Sequence, residues 1–302
     1  MKTASKAPFK WTGAKNRLWD DYKDTFFPPQ DIDTFVDMFG GGGTISLWVR
    51  ERYPNARIVL NDNNTELIQL YRCFQDHYEE MLETYQDIVG RFLDTPQEER
   101  KAFYYGLREE YCHDWESRPH TENMGKLLFM LQTNFNGMWK FYKKCNMRYS
   151  TPPGTLLQKA KFFDLEKLHS FKRFLDTVEL RNGDFADLDV EAQGRTWFYA
   201  DPPYRASVVD YTAGFTEGDQ KRLCAFLREQ GERGHFVAES NRETGDGFWR
   251  EHFPDFNLNF LTTKYTAGRG TSVVQATEVL VANYKSLEKT LPKQQDLPTM
   301  DV

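Results

Sequence analysis

The sequence predicts an α/β protein with a βαβ-built sheet and an inserted, largely α-helical subdomain. Apolar strand-like segments alternate with helical segments near the start of the chain, and this alternation returns after residue 176. Between these regions the chain is mostly helical in its spacing, with a turn-rich patch, YSTPPGT, before the last helix. We therefore assign residues 1–64 and 176–284 to a sheet domain, 65–175 to a helical insertion, and 285–302 to a polar tail expected to be disordered.

The first strand–helix–strand unit surrounds a glycine-rich turn. Residues 34–39 (TFVDMF) are apolar and stop at Gly40–Gly43, after which TISLWVRERY has helical spacing. A second strand over 57–60 (RIVL) leads into Asn61 and Asp62. This order is typical of a parallel βαβ unit.

The remaining helices and strands are predicted from the same kinds of sequence pattern. A helix is expected from Thr65, a candidate N-cap. After the insertion, strands are predicted in VELRNGD, RTWFYADPPY, GHFVAES and ATEVLVANY, with a helix in EGDQKRLCAFLREQG.

Composition excludes several classes of protein. The chain has 302 residues, 39% hydrophobic and 28% charged, which is enough for a large core. Apolar runs stay far below the roughly 20 residues of a membrane-spanning helix, and no secretory signal is predicted. The four cysteines are far apart without a C-x-x-C pair. This argues against a structural zinc site or a disulfide framework and favours a cytoplasmic protein without metal.

Charge is segregated along the chain despite a formal net charge of −6. Residues 126–173 carry ten basic and two acidic side chains, and aromatic residues alternate with cations around Trp139. Salt screens charges that lie farther than about 8–10 Å away, so a polyanion would respond to this basic segment and not to the net charge of the chain. Lys143, Lys144 and Arg148 are therefore candidates for phosphate contacts. Arg269, in the segment KYTAGRGTS, is another candidate. A solvated helix face and a mobile surface loop are the alternative interpretations.

Two motifs indicate chemistry. The glycine turn lets the backbone approach a ligand, and Asp62 stands at the end of the next strand, where a carboxylate can accept ribose hydroxyls. The second motif, Asp201-Pro202-Pro203-Tyr204, follows the apolar strand at 197–200. Its carboxylate and the carbonyl of Pro202 could each accept one N–H of an amino group on a planar heterocycle, while Tyr204 stacks on the ring. A simple turn is the alternative.

Taken together and in this order, the motifs resemble those of the Dam-type (D12 class) DNA adenine-N6 methyltransferases, including those of T-even phages. The matching segments are KWTGAK (10–15), FVDMF (35–39) with its glycines, Asn61-Asp62, Asn136-Gly137, Gly183-Asp184-Phe185, DPPY (201–204) and TEVLVANY (277–284). The resemblance covers most of the chain. It implies a Rossmann-like methyltransferase sheet, S-adenosylmethionine as methyl donor, double-stranded DNA as partner and a DNA-recognition role for the insertion.

The resemblance also implies roles for individual residues. Asp201, Pro202 and Tyr204 would act on the adenine amine. The expected donor-binding residues are Trp11, Lys15, Asp37, Phe39, Gly40, Gly41, Gly42, Gly43, Thr44, Asp62, Asp184, Phe185, Asp201 and Tyr211. The DNA-contacting set would consist of Asn136, Lys140, Lys143, Lys144, Arg148 and Arg269. No metal is implied.

One departure from the family bears on the target sequence. After Asn136-Gly137 many relatives carry Arg and then Asn, where this chain has Lys140 and Tyr142. Arg forks onto a guanine edge whereas Lys makes a point contact. GATC, common in the family, is therefore only the first target to test, and base reading by Lys140 is a hypothesis.

Two alternatives remain open from the sequence. One is a methyltransferase that acts on RNA or on a protein amide, because the DPPY chemistry serves any planar amine or amide nitrogen. The other is a DNA-binding module that has lost catalysis. The sequence does not indicate the oligomeric state or a partner endonuclease.

Overall fold

The structure, a computed structural model, describes most of the chain. The described residues are 6–13, 15, 19, 26–141, 148–155, 163–191, 194–205, 215–266 and 273–285, with the backbone alone at 263–266 and 273–276.

A seven-stranded sheet lies at the centre, in the order β3-β2-β1-β4-β5-β7-β6. Its strands are β1 (Thr34–Asp37), β2 (Arg57–Asp62), β3 (Val178–Asn182), β4 (Thr196–Ala200), β5 (Phe236–Arg242), β6 (Asn257–Thr266) and β7 (Val273–Ala282). The pairs among β1 to β5 are parallel, and β7 is antiparallel to both β5 and β6. This confirms the predicted α/β class with a Rossmann-like sheet.

Helices flank the sheet and fill the region between β2 and β3. They are α1 (Thr44–Arg52), α2 (Thr65–Asp76), α3 (Tyr78–Asp94), α4 (Arg100–His113), α5 (His120–Thr133), α6 (Leu165–Leu175), α7 (Glu217–Glu232) and α8 (Phe248–His252). The predicted cap of α2 is wrong by one residue. Asn64 is the N-cap and its side chain accepts a hydrogen bond from the Leu67 amide, while Thr65 is already helical.

The core has two layers because successive strand residues point to opposite faces of the sheet. Phe35 and Trp197 contribute to one apolar cluster, whereas Val36 and Phe198 contribute to the other. The first cluster continues into the helical region, where it includes Leu127 of α5. Both ends of that region pack on the sheet: α2 contacts β2 and β3, and α6 contacts β3. The helical region therefore shares an apolar core with the sheet.

Strand β6 was not predicted. The sequence interpretation placed Lys264 in a surface loop, but the backbone over Asn257–Thr266 pairs in register with β7. The strand lies at the edge of the sheet and carries few strongly apolar residues, and Phe260 is 47% exposed. An edge strand needs no continuous apolar run, so its signal in the sequence is weak.

The cysteines require a second correction. Cys73 and Cys224 are buried free thiols, but Cys112 is disulfide-bonded. Distance along the chain, on which the argument against a disulfide framework rested, does not limit which side chains meet in a fold. Cys145 lies outside the described residues.

Two kinds of feature are absent from the described part of the chain. None of its helices is long and apolar enough to span a membrane. No cluster of three potential metal-ligating side chains occurs among the described residues.

Candidate active site

Four aspartates line the carboxyl edge of four neighbouring strands. Asp37 ends β1, Asp62 ends β2, Asp184 lies two residues beyond β3, and Asp201 directly follows β4. These strands are adjacent in the order β3-β2-β1-β4. Because ligands of open α/β sheets bind outside the carboxyl ends of the strands, this row marks the candidate site.

The glycine turn is held in place by Asp62. One carboxylate oxygen of Asp62 accepts the Gly41 amide at 2.8 Å, and the other accepts the Asn64 amide at 2.8 Å. The amide of Gly40 donates to the Asn61 carbonyl at 2.7 Å. Burial raises the pKa of Asp62, and these two amide hydrogen bonds oppose the rise. A carboxylate has about four acceptor positions, so Asp62 keeps room for hydroxyl donors.

The turn needs glycine for conformation and for space. Gly41 and Gly43 have φ values of 46° and 73°, in the left-handed region. Gly43 is the N-cap of α1, which begins at the buried Thr44. A Cβ on Gly41 would lie 2.6 Å from the indole nitrogen of Trp11, and one on Gly42 would lie 2.7 Å from the Trp11 Cβ. Trp11 therefore lies directly against the turn.

The segment that carries Trp11 is docked on the helical region. The Thr12 amide donates to the Gly137 carbonyl at 3.0 Å, and the Thr12 hydroxyl donates to the Asn136 carbonyl at 3.2 Å. A Cβ on Gly137 would lie 2.7 Å from the carbonyl carbon of Lys10. Asn136 has a φ of 57° and its side chain is exposed. The N-terminal segment therefore contacts both the Asn136-Gly137 turn and the glycine turn.

Asp201 forms a close ion pair with Lys15. The Lys15 ammonium lies 2.6 Å from both carboxylate oxygens, and the two side chains are 2% and 19% exposed. Burial raises the pKa of Asp201, and the Lys15 charge lowers it. The ammonium also lies 5.0 Å from the centre of the Tyr204 ring. Lys15 thus favours the ionised form of Asp201 and opposes the effect of burial.

The DPPY segment is anchored to strands β5 and β7. Pro202 is buried, and the Tyr204 hydroxyl donates to Glu278 of β7 at 3.0 Å. The Arg205 amide donates to the side chain of Asn241 on β5 at 3.0 Å. Sequence reasoning gave neither Glu278 nor Asn241 a role in the site, because their relevance depends on contacts between distant parts of the chain.

Asp37 is the most deeply buried member of the row. It accepts a hydrogen bond from the Ser46 hydroxyl of α1 at 2.7 Å and is 1% exposed. Burial raises its pKa to about 7, with smaller contributions from the charges of Asp201 and Asp62. Sequence reasoning also missed Ser46. Burial thus favours the protonated form of Asp37.

An aromatic cluster and an arginine lie at the β3 end of the row. The Phe39 ring is 5.6 Å from Phe185 and 5.8 Å from Phe215. Asp184, which precedes Phe185, accepts two hydrogen bonds from Arg222 of α7, at 3.0 and 2.8 Å. Phe215 and Arg222 were not predicted as site residues.

The expected DNA-contacting residues have different surroundings. Lys140 is exposed, in a segment bridged by a Phe141–Tyr149 pair. Arg148 instead pairs with Glu66 at 3.1 Å and lies 4.2 Å over the Trp115 ring. Glu66 and Trp115 therefore hold the Arg148 guanidinium in the structure. Lys143, Lys144, Tyr211 and Arg269 lie outside the described residues.

A family comparison covers the site as a whole. The family model described as D12 class N6 adenine-specific DNA methyltransferase matches residues 11–266. The match runs from Trp11 through all four aspartates of the row.

Curated relatives agree with this family. The chain is 29% identical over 291 residues to Type II methyltransferase M1.LlaDCHI of Lactococcus lactis subsp. cremoris, covering 92% of this chain and 95% of the relative. It is 26% identical over 267 residues to Type II methyltransferase M.MjaIII of Methanocaldococcus jannaschii, covering 85% and 91%. It is 25% identical over 289 residues to the DNA adenine methylase of Escherichia coli K12, covering 93% and 96%.

Proposed function

Because the chain belongs to the D12 class of N6 adenine-specific DNA methyltransferases, we propose that it uses S-adenosylmethionine to methylate an adenine extruded from duplex DNA. We propose GATC as the first target to test. The observation that carries this proposal is the position of Asp201: it directly follows β4, shares the strand-end row with the glycine turn, and is ion-paired with Lys15.

The groups along the row fit the parts of the donor. The cluster of Phe39, Phe185 and Phe215 offers an apolar surface for a purine, and Asp62 offers acceptors for a ribose. The glycine turn has no side chains that would obstruct the methionine part of the donor. It also leads into the N-terminus of α1, and the N-terminus of a helix favours a carboxylate. When bound, S-adenosylmethionine supplies a methyl group on a positively charged sulfur.

Trp11 and Lys15 complete the proposed donor site. Trp11 lies against the glycine turn, and Lys15 lies between Asp201 and the Tyr204 ring. Asp37 ends β1, between Asp62 and Asp201 in the row, and burial raises its pKa to about 7. Tyr211 is retained in the proposal from the resemblance alone.

Asp201 and Pro202 are proposed to activate the adenine amine. The N6 lone pair is delocalised into the ring, which makes it a poor nucleophile. Hydrogen bonds from N6 to the Asp201 carboxylate and to the Pro202 carbonyl favour a tetrahedral nitrogen and stabilise the positive charge that develops on it. Ionised Asp201 stabilises this positive charge more than a neutral carboxyl group would, and the Lys15 charge favours the ionised state.

Tyr204 is proposed to receive the extruded base. Extrusion costs a few kcal/mol in lost stacking and pairing, and stacking on an aromatic side chain offsets part of it. The hydrogen bond from the Tyr204 hydroxyl to Glu278 fixes one end of the ring. Binding at this position would align the amine with the methyl group, which lowers the barrier further.

The activity is tested with radiolabelled S-adenosylmethionine and three acceptors: duplex DNA, RNA and protein. We expect label only in duplex DNA and only as N6-methyladenine. Label in RNA or protein, or none in DNA, would contradict the proposal.

The target is tested by mapping N6-methyladenine in a genome that expresses the protein. Methylation confined to GATC would support the proposed target, and another sequence would replace it. Repeating the map with Lys140→Ala tests base reading by this exposed side chain: an unchanged target and rate would reduce Lys140 to a surface or phosphate contact.

A further inference from the structure

Arg222 holds the Asp184 carboxylate in a fixed orientation. The guanidinium of Arg222 donates through one nitrogen to Asp184 Oδ1 at 3.0 Å and through the other to Oδ2 at 2.8 Å. Such a two-point fork fixes the plane of the carboxylate as well as its position. The amide of Ala186 donates to Oδ1 as well, at 2.9 Å.

Two further contacts restrain the guanidinium of Arg222. Arg222 also donates to Asp219 at 3.0 Å, and Asp219 forms the capping box of α7 with Thr216. It lies 4.7 Å over the ring of Phe185, which is 3% exposed. The start of α7 therefore connects Asp184 to the aromatic cluster through a single side chain.

These contacts leave Asp184 with one directed acceptor position. A carboxylate oxygen accepts about two hydrogen bonds. Oδ1 already accepts from Arg222 and Ala186, whereas Oδ2, among the residues that the structure describes, accepts from Arg222 alone. The remaining lone pair of Oδ2 suits a single N–H donor beside the Phe185 ring. The same lone pair would repel a carbonyl oxygen at the position of that N–H donor.

We propose that Arg222 is a positioning residue that makes the donor site select a 6-aminopurine. Arg222 acts through Asp184, whose free acceptor position receives the exocyclic amine of the donor's adenine. This inference rests on the proposed function, because it takes S-adenosylmethionine as the donor. It adds the residue that sets the purine preference.

The test compares two probes, S-adenosylhomocysteine and its deaminated form S-inosylhomocysteine, by calorimetric titration. The two differ at purine position 6, where an amine is replaced by a carbonyl, and at N1, which gains a proton. The wild type should bind the adenine probe about tenfold or more tightly, as expected when an acceptor that the bound purine covers loses its donor. In Arg222→Ala the preference should fall to within about threefold, mainly through weaker binding of the adenine probe.

Two further variants separate positioning from charge and from general destabilisation. Arg222→Lys keeps the charge but cannot form the fork, so it should lose the preference as Arg222→Ala does. In an Asp184→Ala background, Arg222→Ala should cause no further loss of preference, because the two residues act as a unit. Arg228→Ala is the matched control, an exposed arginine on the same helix, and it should keep the wild-type preference.

The outcomes distinguish the two proposals. If the wild type prefers the adenine probe and both Arg222 variants retain that preference, the positioning role is wrong while the donor assignment stands. Equal binding of both probes by the wild type also overturns the positioning role. If the wild type binds neither probe, the donor assignment is wrong and this inference falls with it.

Discussion

At the scale of single residues, burial raises the pKa of carboxyl groups near the site. Glu239 on β5 is fully buried, and its Oε1 accepts hydrogen bonds from Gln220 at 2.7 Å and Asn241 at 3.1 Å. Burial raises the pKa of Glu239 to about 8, and the Asp201 charge adds to the rise. Asn241 also accepts the Arg205 amide, so Glu239 belongs to the network beneath the DPPY segment.

The free energy of unfolding should therefore fall as pH rises toward 8. Between the ordinary glutamate pKa and about 8, the folded state keeps the Glu239 proton that the unfolded state releases. The stabilisation is complete below the unfolded-state pKa and is lost as pH rises through the folded-state value. One such proton corresponds to a slope of about 1.4 kcal/mol per pH unit.

Replacing Glu239 by a group that cannot titrate tests this linkage. Glu239→Gln should flatten the decline in unfolding free energy between pH 6 and 8, measured by urea denaturation. Glu232→Gln, at an exposed position on α7, should leave the wild-type slope in place. The same slope in Glu239→Gln as in the wild type would show that this carboxyl does not titrate in that range.

Residues of the site differed in how well they could be predicted. Asp62 and Asp201 stand next to recognisable strands, so their position at one edge follows from the parallel sheet. Arg222 meets Asp184 across 38 residues, and Tyr204 meets Glu278 across 74. Such pairs carry no local pattern and become visible only once the chain is folded.

At the scale of elements, the N-terminal segment connects the helical region to the glycine turn. Its Thr12 is bound to the Asn136-Gly137 turn, and its Trp11 packs on Gly41. The approach at Gly137 is close because this residue has no side chain and adopts a φ of 70°. The turn in the helical region thereby helps to place Trp11 in the proposed donor site.

Gly137→Ala should consequently weaken donor binding from a distance. The added methyl group would lie 2.7 Å from the Lys10 backbone and require a strained φ, so the segment must shift. We expect affinity for S-adenosylhomocysteine to fall about three- to tenfold, roughly 0.7–1.4 kcal/mol.

A second glycine variant controls for the change of residue type. Gly106 lies in α4, where an added Cβ would meet open space, so Gly106→Ala should preserve donor binding and stabilise the helix by about 1 kcal/mol. Wild-type donor affinity in a normally folded Gly137→Ala protein would show that the turn does not position Trp11.

At the scale of the whole molecule, the sheet and the helical region form one packed unit. Their shared apolar cluster and the bridge from Asn136-Gly137 to Trp11 place the exposed Lys140 on the structure that carries the strand-end row. The sequence predicted the alternation and the helical region correctly, because both leave periodic patterns. Their common core could not be predicted, since periodicity does not specify which apolar faces meet.

The central claim is that the Asp201 carboxylate activates the adenine amine, and single-turnover methyl transfer tests it most directly. Wild type and Asp201→Asn are compared at saturating S-adenosylmethionine and duplex DNA, with both affinities measured separately. The variant cannot supply the negative charge, so the account predicts a rate at least about a hundredfold lower on DNA that is still bound. An Asp201→Asn rate within about threefold of wild type would contradict it.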